Sequence, residues 1–423
     1  MGGRFKVAMR VPSAAIALPL AILLAGCASS GSGGQTASVS DRPSPTLSPS
    51  ATTGVGSAPQ SAAQNPTTQT LYVANSNSDT VSVVNMARCN SLTVSGCARK
   101  WPTVAVGHNP LGVDVDQATD TIYVANARDG TVSVINGATC NAKNSSGCGQ
   151  KPATVRAGAF DNSLVVDPVT NTVFVTNMDA GCAGPPGAAC DRPGTVSVID
   201  GHSCNGTHRS GCAHQPFATT KVGGAPSGVG VNPVTNTIYV ANTGLDSNGA
   251  YAPPGNTLSV IDGATCKATD KPGCTPVGTV RVGAAPASLS VDPVTNTLYV
   301  ANTYDATASP TGTVSVVNGA TCDAANHSGC ASQTPPQVPA GRDTDSAVFA
   351  QKSDTVYVTN YKDSTVSVIN AARCNATQTS GCKAHPPAIT VGGGPAWTVV
   401  NAALHTVYIL AADANEVIVL SAK

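Results

Sequence analysis

The chain has 423 residues, with 23 basic against 23 acidic side chains, 11% charged and 4% aromatic residues, 42 Gly and 30 Pro. A balanced, sparsely charged chain excludes a nucleic-acid binder that depends on a cationic surface. A single glutamate, Glu416, excludes acid–base chemistry built on paired glutamates. Thr, Val, Ser and Asn stand where helical proteins use Glu, Lys and Leu, so short strands and turns are expected over a length ample for a large core.

In chain order, the first feature is a leader over residues 1–26. Arg4, Lys6 and Arg10 form a basic head, and the apolar run Val11 to Leu24 is too short and interrupted for a membrane span. It ends in Leu24-Ala25-Gly26-Cys27, which resembles the bacterial lipobox; the resemblance implies that Cys27 receives the lipid and becomes the mature N-terminus. The alternative is an ordinary signal peptide with a chance cysteine. Loss of the leader leaves 20 basic against 23 acidic residues. Residues 27–50 are rich in Ser, Pro, Thr and Gly, too apolar-poor to fold, and read as a flexible tether. The expected address is the extracytoplasmic face of a bacterial cell membrane, reached by export and held through the lipid.

From residue 51 to 423 the chain repeats itself. Tyr-Val-Ala-Asn begins at Tyr72, Tyr123, Tyr239 and Tyr299, with variants at Phe174, Tyr357 and Tyr408, giving seven copies 51 to 65 residues apart. One unit reads as four strands: Gly112 to Asp116, Thr121 to Ala125, Thr131 to Ile135 and Ala153 to Arg156, each short, β-branched and bounded by turn residues. The recurrent Asp167-Pro168-Val169-Thr170-Asn171 before the second strand reads as turn chemistry rather than a metal loop. The repeat resembles the YVTN-type β-propeller family, which implies an all-β, seven-bladed propeller with four strands, A to D, in each blade.

The ends predict how the ring closes. A spare strand D near Ala51 to Val55 precedes the first unit, whose weak strand A lies near Ser61 to Gln64. The last unit offers strands at Trp397 to Asn401, Val407 to Leu410 and Glu416 to Leu420 and then stops. The N-terminal strand is therefore expected to complete the last blade, giving 28 strands and protected edges.

Apart from Cys27, the cysteines form seven pairs of equal spacing. They are Cys89 with Cys97, Cys140 with Cys148, Cys182 with Cys190, Cys204 with Cys212, Cys266 with Cys274, Cys322 with Cys330, and Cys374 with Cys382. Seven-residue gaps without matching histidines do not suit zinc, whereas local disulfides suit an oxidising exterior. Six pairs fall between strands C and D of blades 1 to 6; the pair Cys182 and Cys190 sits in another loop. Sequons at Asn144, Asn205, Asn326 and Asn375 fall in these loops and read as turn chemistry.

A propeller places its B–C and D–A loops on one face with the channel mouth. The B–C loops are long in blades 3 to 5, from Met178 to Gly194, Thr243 to Asn256 and Thr303 to Gly312, and long loops on a rigid scaffold commonly bind. The D–A loops follow Gly-x-x-Pro, and the candidate ligand-binding residues lie in or beside them: His108 within the pattern, Asp161, Asn162, Arg342, Asp343 and Asp345 where blades 3 and 6 depart from it, and Trp397 in blade 7. A rim ion pair at Arg342 or a water-lined channel would account for them equally. No residue is assigned as catalytic or metal-binding, and no cofactor is expected, since neither a haem-attachment motif nor a Gly-x-Ser-x-Gly elbow occurs. The expectation is a monomeric binding or scaffold module for a surface protein, glycan or small ligand, without nucleic acid. The alternative is a metal-assisted, lactonase-like hydrolase using Asp161, Asp343 and Asp345.

Overall fold

The computed structural model describes residues 47–178, 193–215, 218–244, 255–267, 274–304 and 311–422. The leader, Cys27, most of the tether, and the pair Cys182 and Cys190 lie outside them. The described residues hold 28 strands, β1 to β28, in seven antiparallel sheets of four. Blade 2 shows the pattern: β6 (Pro110–Asp116), β7 (Thr121–Asn126), β8 (Thr131–Asn136) and β9 (Ala153–Arg156) pair in sequence order. This is the expected seven-bladed propeller.

Closure follows the expected route. The last sheet joins β26 (Pro395–Asn401), β27 (Thr406–Ala411) and β28 (Glu416–Ala422) to β1 (Leu47–Gly54), with Gly54 opposite Glu416 and Leu47 opposite Ala422. Strand β1 starts at Leu47, ahead of the expected Ala51. Low hydrophobicity hid its first residues, because of Leu47–Ser50 only Leu47 is buried, in the cluster with Ile409, Ile418 and Leu420, while the next three residues face solvent. Thr53 fastens this strand to blade 1: its hydroxyl accepts from Trp101 Nε1 at 2.7 Å and donates to the Cys97 carbonyl at 2.7 Å.

The repeat motif has a physical reason at each position. Tyr, Val and Ala of strand B are buried between neighbouring sheets. The Asn that ends strand B donates its amide to the Thr and Ser of strand C, as Asn126 does to Thr131 at 3.1 Å and Ser133 at 2.9 Å. This explains why Tyr-Val-Ala-Asn is followed by Thr-Val-Ser. The glycine of Gly-x-x-Pro sits where a Cβ would strike that Asn; at Gly223 it would lie 2.4 Å from Asn242. In the turn before strand B, Asp167 Oδ1 accepts the Val169 N–H and Oδ2 the Thr170 hydroxyl at 2.5 Å, so its carboxylate is committed to the turn.

Six of the seven expected disulfides are formed among the described residues, each across Cα distances of 4.2 to 4.8 Å. Cys89 joins Cys97, Cys140 joins Cys148, and Cys204 joins Cys212. Cys266 joins Cys274, Cys322 joins Cys330, and Cys374 joins Cys382. The seventh expected bond, between Cys182 and Cys190, falls on residues outside those described. Such bonds indicate an oxidising environment.

The disulfide loops also reach back to the preceding blade. Tyr72 donates its hydroxyl to the Cys140 carbonyl at 2.8 Å, and the Ala142 N–H donates to Thr70 Oγ1. Tyr123, Tyr239, Tyr299 and Tyr408 clip Cys204, Cys322, Cys374 and Cys89 in the same way. Asn205 and Asn375 are buried turn residues in these loops, each accepting two backbone N–H groups.

No described helix is long and apolar enough to cross a membrane.

Candidate functional site

A cavity of about 300 Å³ opens on the axis at the face carrying the D–A and B–C connections. The innermost strands build it. Their second and third residues turn toward the axis, supplying Gln60 and Ser61 from blade 1, Leu111 from blade 2, Asn162 and Ser163 from blade 3, and Asp345 and Trp397 from blades 6 and 7. Met178, Thr243 and Thr303, at the roots of the three long B–C loops, complete the wall on the side of blades 3 to 5.

The residue before each strand A must take a left-handed backbone to bring the chain over the rim. Asn109, Ala225 and Ala285 do so at φ of 56°, 43° and 52°. In blades 3 and 6 the position falls to Phe160 and Asp343, both at 57°. Aspartate tolerates this region, whereas a bulky aromatic is strained there, and Phe160 is also partly exposed at the rim.

The expected site residues separate into two groups. Asn162, Asp343, Asp345 and Trp397 line the cavity together. His108 and Arg342 stand outside it in matching ion pairs. His108 Nδ1 is 2.9 Å from Asp129 and Nε2 is 3.9 Å from Asp79, and the Asp129 hydrogen bond, reinforced by both charges, raises the imidazole pKa. Arg342 Nε meets Asp363 at 2.5 Å and its backbone N–H meets the same carboxylate at 2.7 Å. Partial burial opposes ionisation of Asp363, but these hydrogen bonds prevail and hold it below the usual carboxylate range. Asp161 begins strand A of blade 3; its side chain lies outside the described residues.

Inside the cavity the two carboxylates differ. Asp343 pairs with Lys362 at 3.3 Å. Asp345 has no such partner and retains a little accessible surface, yet protein surrounds it on the concave side. Burial first, and the Asp343 charge second, push its pKa up to about 7. The neighbouring hydroxyls are already committed to the frame: Ser227 donates to the Ala287 carbonyl at 2.6 Å, Thr243 to Pro286 at 2.6 Å, and Thr303 to Thr344 at 3.2 Å. Ser288 is the exception, a 4% exposed residue whose Oγ has no hydrogen-bond partner.

Among the described residues no three His, Cys, Asp or Glu side chains converge as metal ligands. Sequence reasoning missed Gln60, Ser61, Ser163, Ser227 and Ser288. Aligning the seven A strands and reading the two positions after the Gly-x-x-Pro proline would have found them.

A second acidic residue sits on the inner strand of blade 2. Asp114 accepts the Val115 N–H at 2.8 Å and the Val166 N–H of the next blade at 2.9 Å. Burial pushes its pKa up to about 6 against the effect of these two bonds. Ser290 makes the corresponding bridge, accepting from the Phe349 N–H at 3.0 Å.

No family model matches the chain, and no curated protein matches it. Solved structures do. A chain of Kuenenia stuttgartiensis hydrazine synthase superposes with a TM-score of 0.60 at 14% identity, covering 92% of this chain and 98% of that one. A chain in the crystal structure of a mitotic checkpoint complex gives 0.57 at 11% identity, covering 95% and 99%. At these identities the likeness shows the fold alone.

Proposed function

We propose that this chain is an exported, lipid-anchored binding module that takes a small polar ligand, or the tip of a surface glycan or protein, at the mouth of its channel. The cavity of about 300 Å³ carries the reading, because it joins an aromatic residue, Trp397, to amides, hydroxyls and a carboxylate on a rigid ring. The long B–C loops rise from the same wall, where they would meet whatever projects from the cavity. The lipobox-like end of the leader and the six disulfides support the address, and the Tyr-Val-Ala-Asn repeat supports kinship with YVTN-type propellers. Binding is favoured over hydrolysis because Asp343 already pairs with Lys362 and, among the described residues, no three His, Cys, Asp or Glu side chains converge.

The test uses the purified protein and a panel of lactones, with and without divalent cations, beside a panel of small polar ligands followed by Trp397 fluorescence. Saturable binding that Trp397→Leu weakens, without turnover, is the expected outcome. Lactone turnover abolished by Asp343→Ala or Asp345→Ala would overturn the binding reading.

A further inference from the structure

Among the described residues lining the cavity, the only formally charged ones are Asp343 and Asp345; no Lys, Arg or His is among them. Asp343 is neutralised from outside by Lys362, but among the described residues Asp345 faces no cation and no hydrogen-bond donor. Asp345 is half-buried at the cavity wall, so its carboxylate is left to solvent in the cavity or to a ligand that completes it. Ser288, one blade away, lines the same wall, and its buried Oγ has no hydrogen-bond partner. Trp397, on the blade beyond Asp345, brings an aromatic ring to the cavity, and aromatic rings attract cations held against their faces. The hydroxyls of Ser227, Thr243 and Thr303, which could have offered donors to a ligand, are turned into the backbone instead. Unmet demand in this cavity is therefore concentrated on blades 5 to 7, and its sign is negative.

We propose that the ligand carries a protonated amine, set against the Asp345 carboxylate, with an attached hydroxyl-bearing body reaching Ser288 and Trp397. This rests on the channel mouth being a binding site and names the chemistry that site selects. The ligand is small: the cavity holds roughly the volume of ten liquid waters. An amino alcohol or amino sugar, free or at the end of a chain, has the required charge, size and hydroxyl groups.

The experiment compares matched pairs at neutral pH by calorimetry on the whole protein: 4-aminobutanol against 1,4-butanediol, and glucosamine against glucose, with calcium chloride as a separate titrant. The amine of each pair is expected to bind at least about tenfold more tightly than its neutral counterpart. Asp345→Asn, which keeps the shape and removes a buried charge, is expected to fold and to erase that preference. Equal binding of amine and neutral partner would overturn the amine inference while leaving the binding site standing. Calcium binding that depends on Asp345, with no amine binding, would overturn it in favour of a metal site. Failure of every probe to bind would remove both the inference and the site on which it rests.

Discussion

The tyrosine of strand B offers an internal control for how this ring is held together. Tyr72, Tyr123, Tyr239, Tyr299 and Tyr408 each donate to the carbonyl of the first cysteine in the next blade's disulfide loop, at 2.7 to 2.9 Å. Tyr357 is equally buried, but the blade after it is the one split between the chain ends, and that blade has no such loop. Its hydroxyl only leans toward Ser353 and Thr355 and makes no bond of normal geometry. Replacing Tyr72 by Phe keeps the ring packed, removes one buried hydrogen bond and leaves the Cys140 carbonyl without this donor, at a cost of about 1–2 kcal/mol. The same change at Tyr357 removes a hydroxyl that was buried without return, so it is expected to be neutral or stabilising by up to about 1 kcal/mol. Urea unfolding of the two variants beside the wild type, read from midpoints at unchanged slope, separates them. Equal losses at Tyr72 and Tyr357, or no loss at Tyr72, would refute the view that these loops act as clips between blades.

Three further outcomes follow from the same geometry. Asp114 has its pKa raised to about 6, so its ionisation works against the fold: its own contribution to stability is fully present below about pH 4, is lost as pH rises through about 6, and then levels. Val115 donates to Asp114 Oδ1 and Val166 to Oδ2, so Asp114→Asn keeps an acceptor for only one of them. It should flatten this part of the pH profile, while the lost bond, about 1–3 kcal/mol, offsets the gain from removing the charge at neutral pH, measured by urea titration across the range. Deleting Leu47–Gly54 should bare the β28 edge and drive self-association, seen as a rise in mass by light scattering; a monomer of unchanged stability would show that β1 is dispensable. Cys27→Ala should release the protein from the membrane fraction into the medium, and unchanged retention would refute the lipid anchor.

The architecture was legible because each repeat states its own boundaries. Alternating β-branched residues, Asn at the end of strand B and Gly-x-x-Pro before strand A mark the same places again and again, and the ends could be aligned by the same rule. The missed length at Leu47–Ser50 lay where one buried leucine sits in a solvent-facing run, a pattern that composition cannot separate from a tether. The site was legible in half. The D–A loops pointed to Asp343, Asp345 and Trp397, which line the cavity, but equally to His108 and Arg342, which turn outward to Asp129 and Asp363. Whether a rim side chain points to the axis or to the neighbouring turn depends on one or two positions of register, which emerge only when the seven A strands are aligned on the proline position.

The repeat also explains why so few residues bear on function. In a ring of near-identical blades, polar groups recur because each joins a blade to the next or braces its own strands: Asn126 to its own strand C, Thr70 to the following loop, Ser290 to the following inner strand. With the exception of Tyr357, the recurring groups named above have partners that recur with them. Asp345 and Trp397 occupy positions where the other blades carry small, aliphatic or amide side chains, and no described residue of a neighbouring blade supplies a partner for the Asp345 carboxylate. The breaks in symmetry, on blades 6 and 7, therefore stand beside the unpartnered Asp345 carboxylate and Ser288 hydroxyl. That juxtaposition is what a binding site on a pseudo-symmetric scaffold requires, since an asymmetric ligand can be oriented only by the positions at which the repeat is broken.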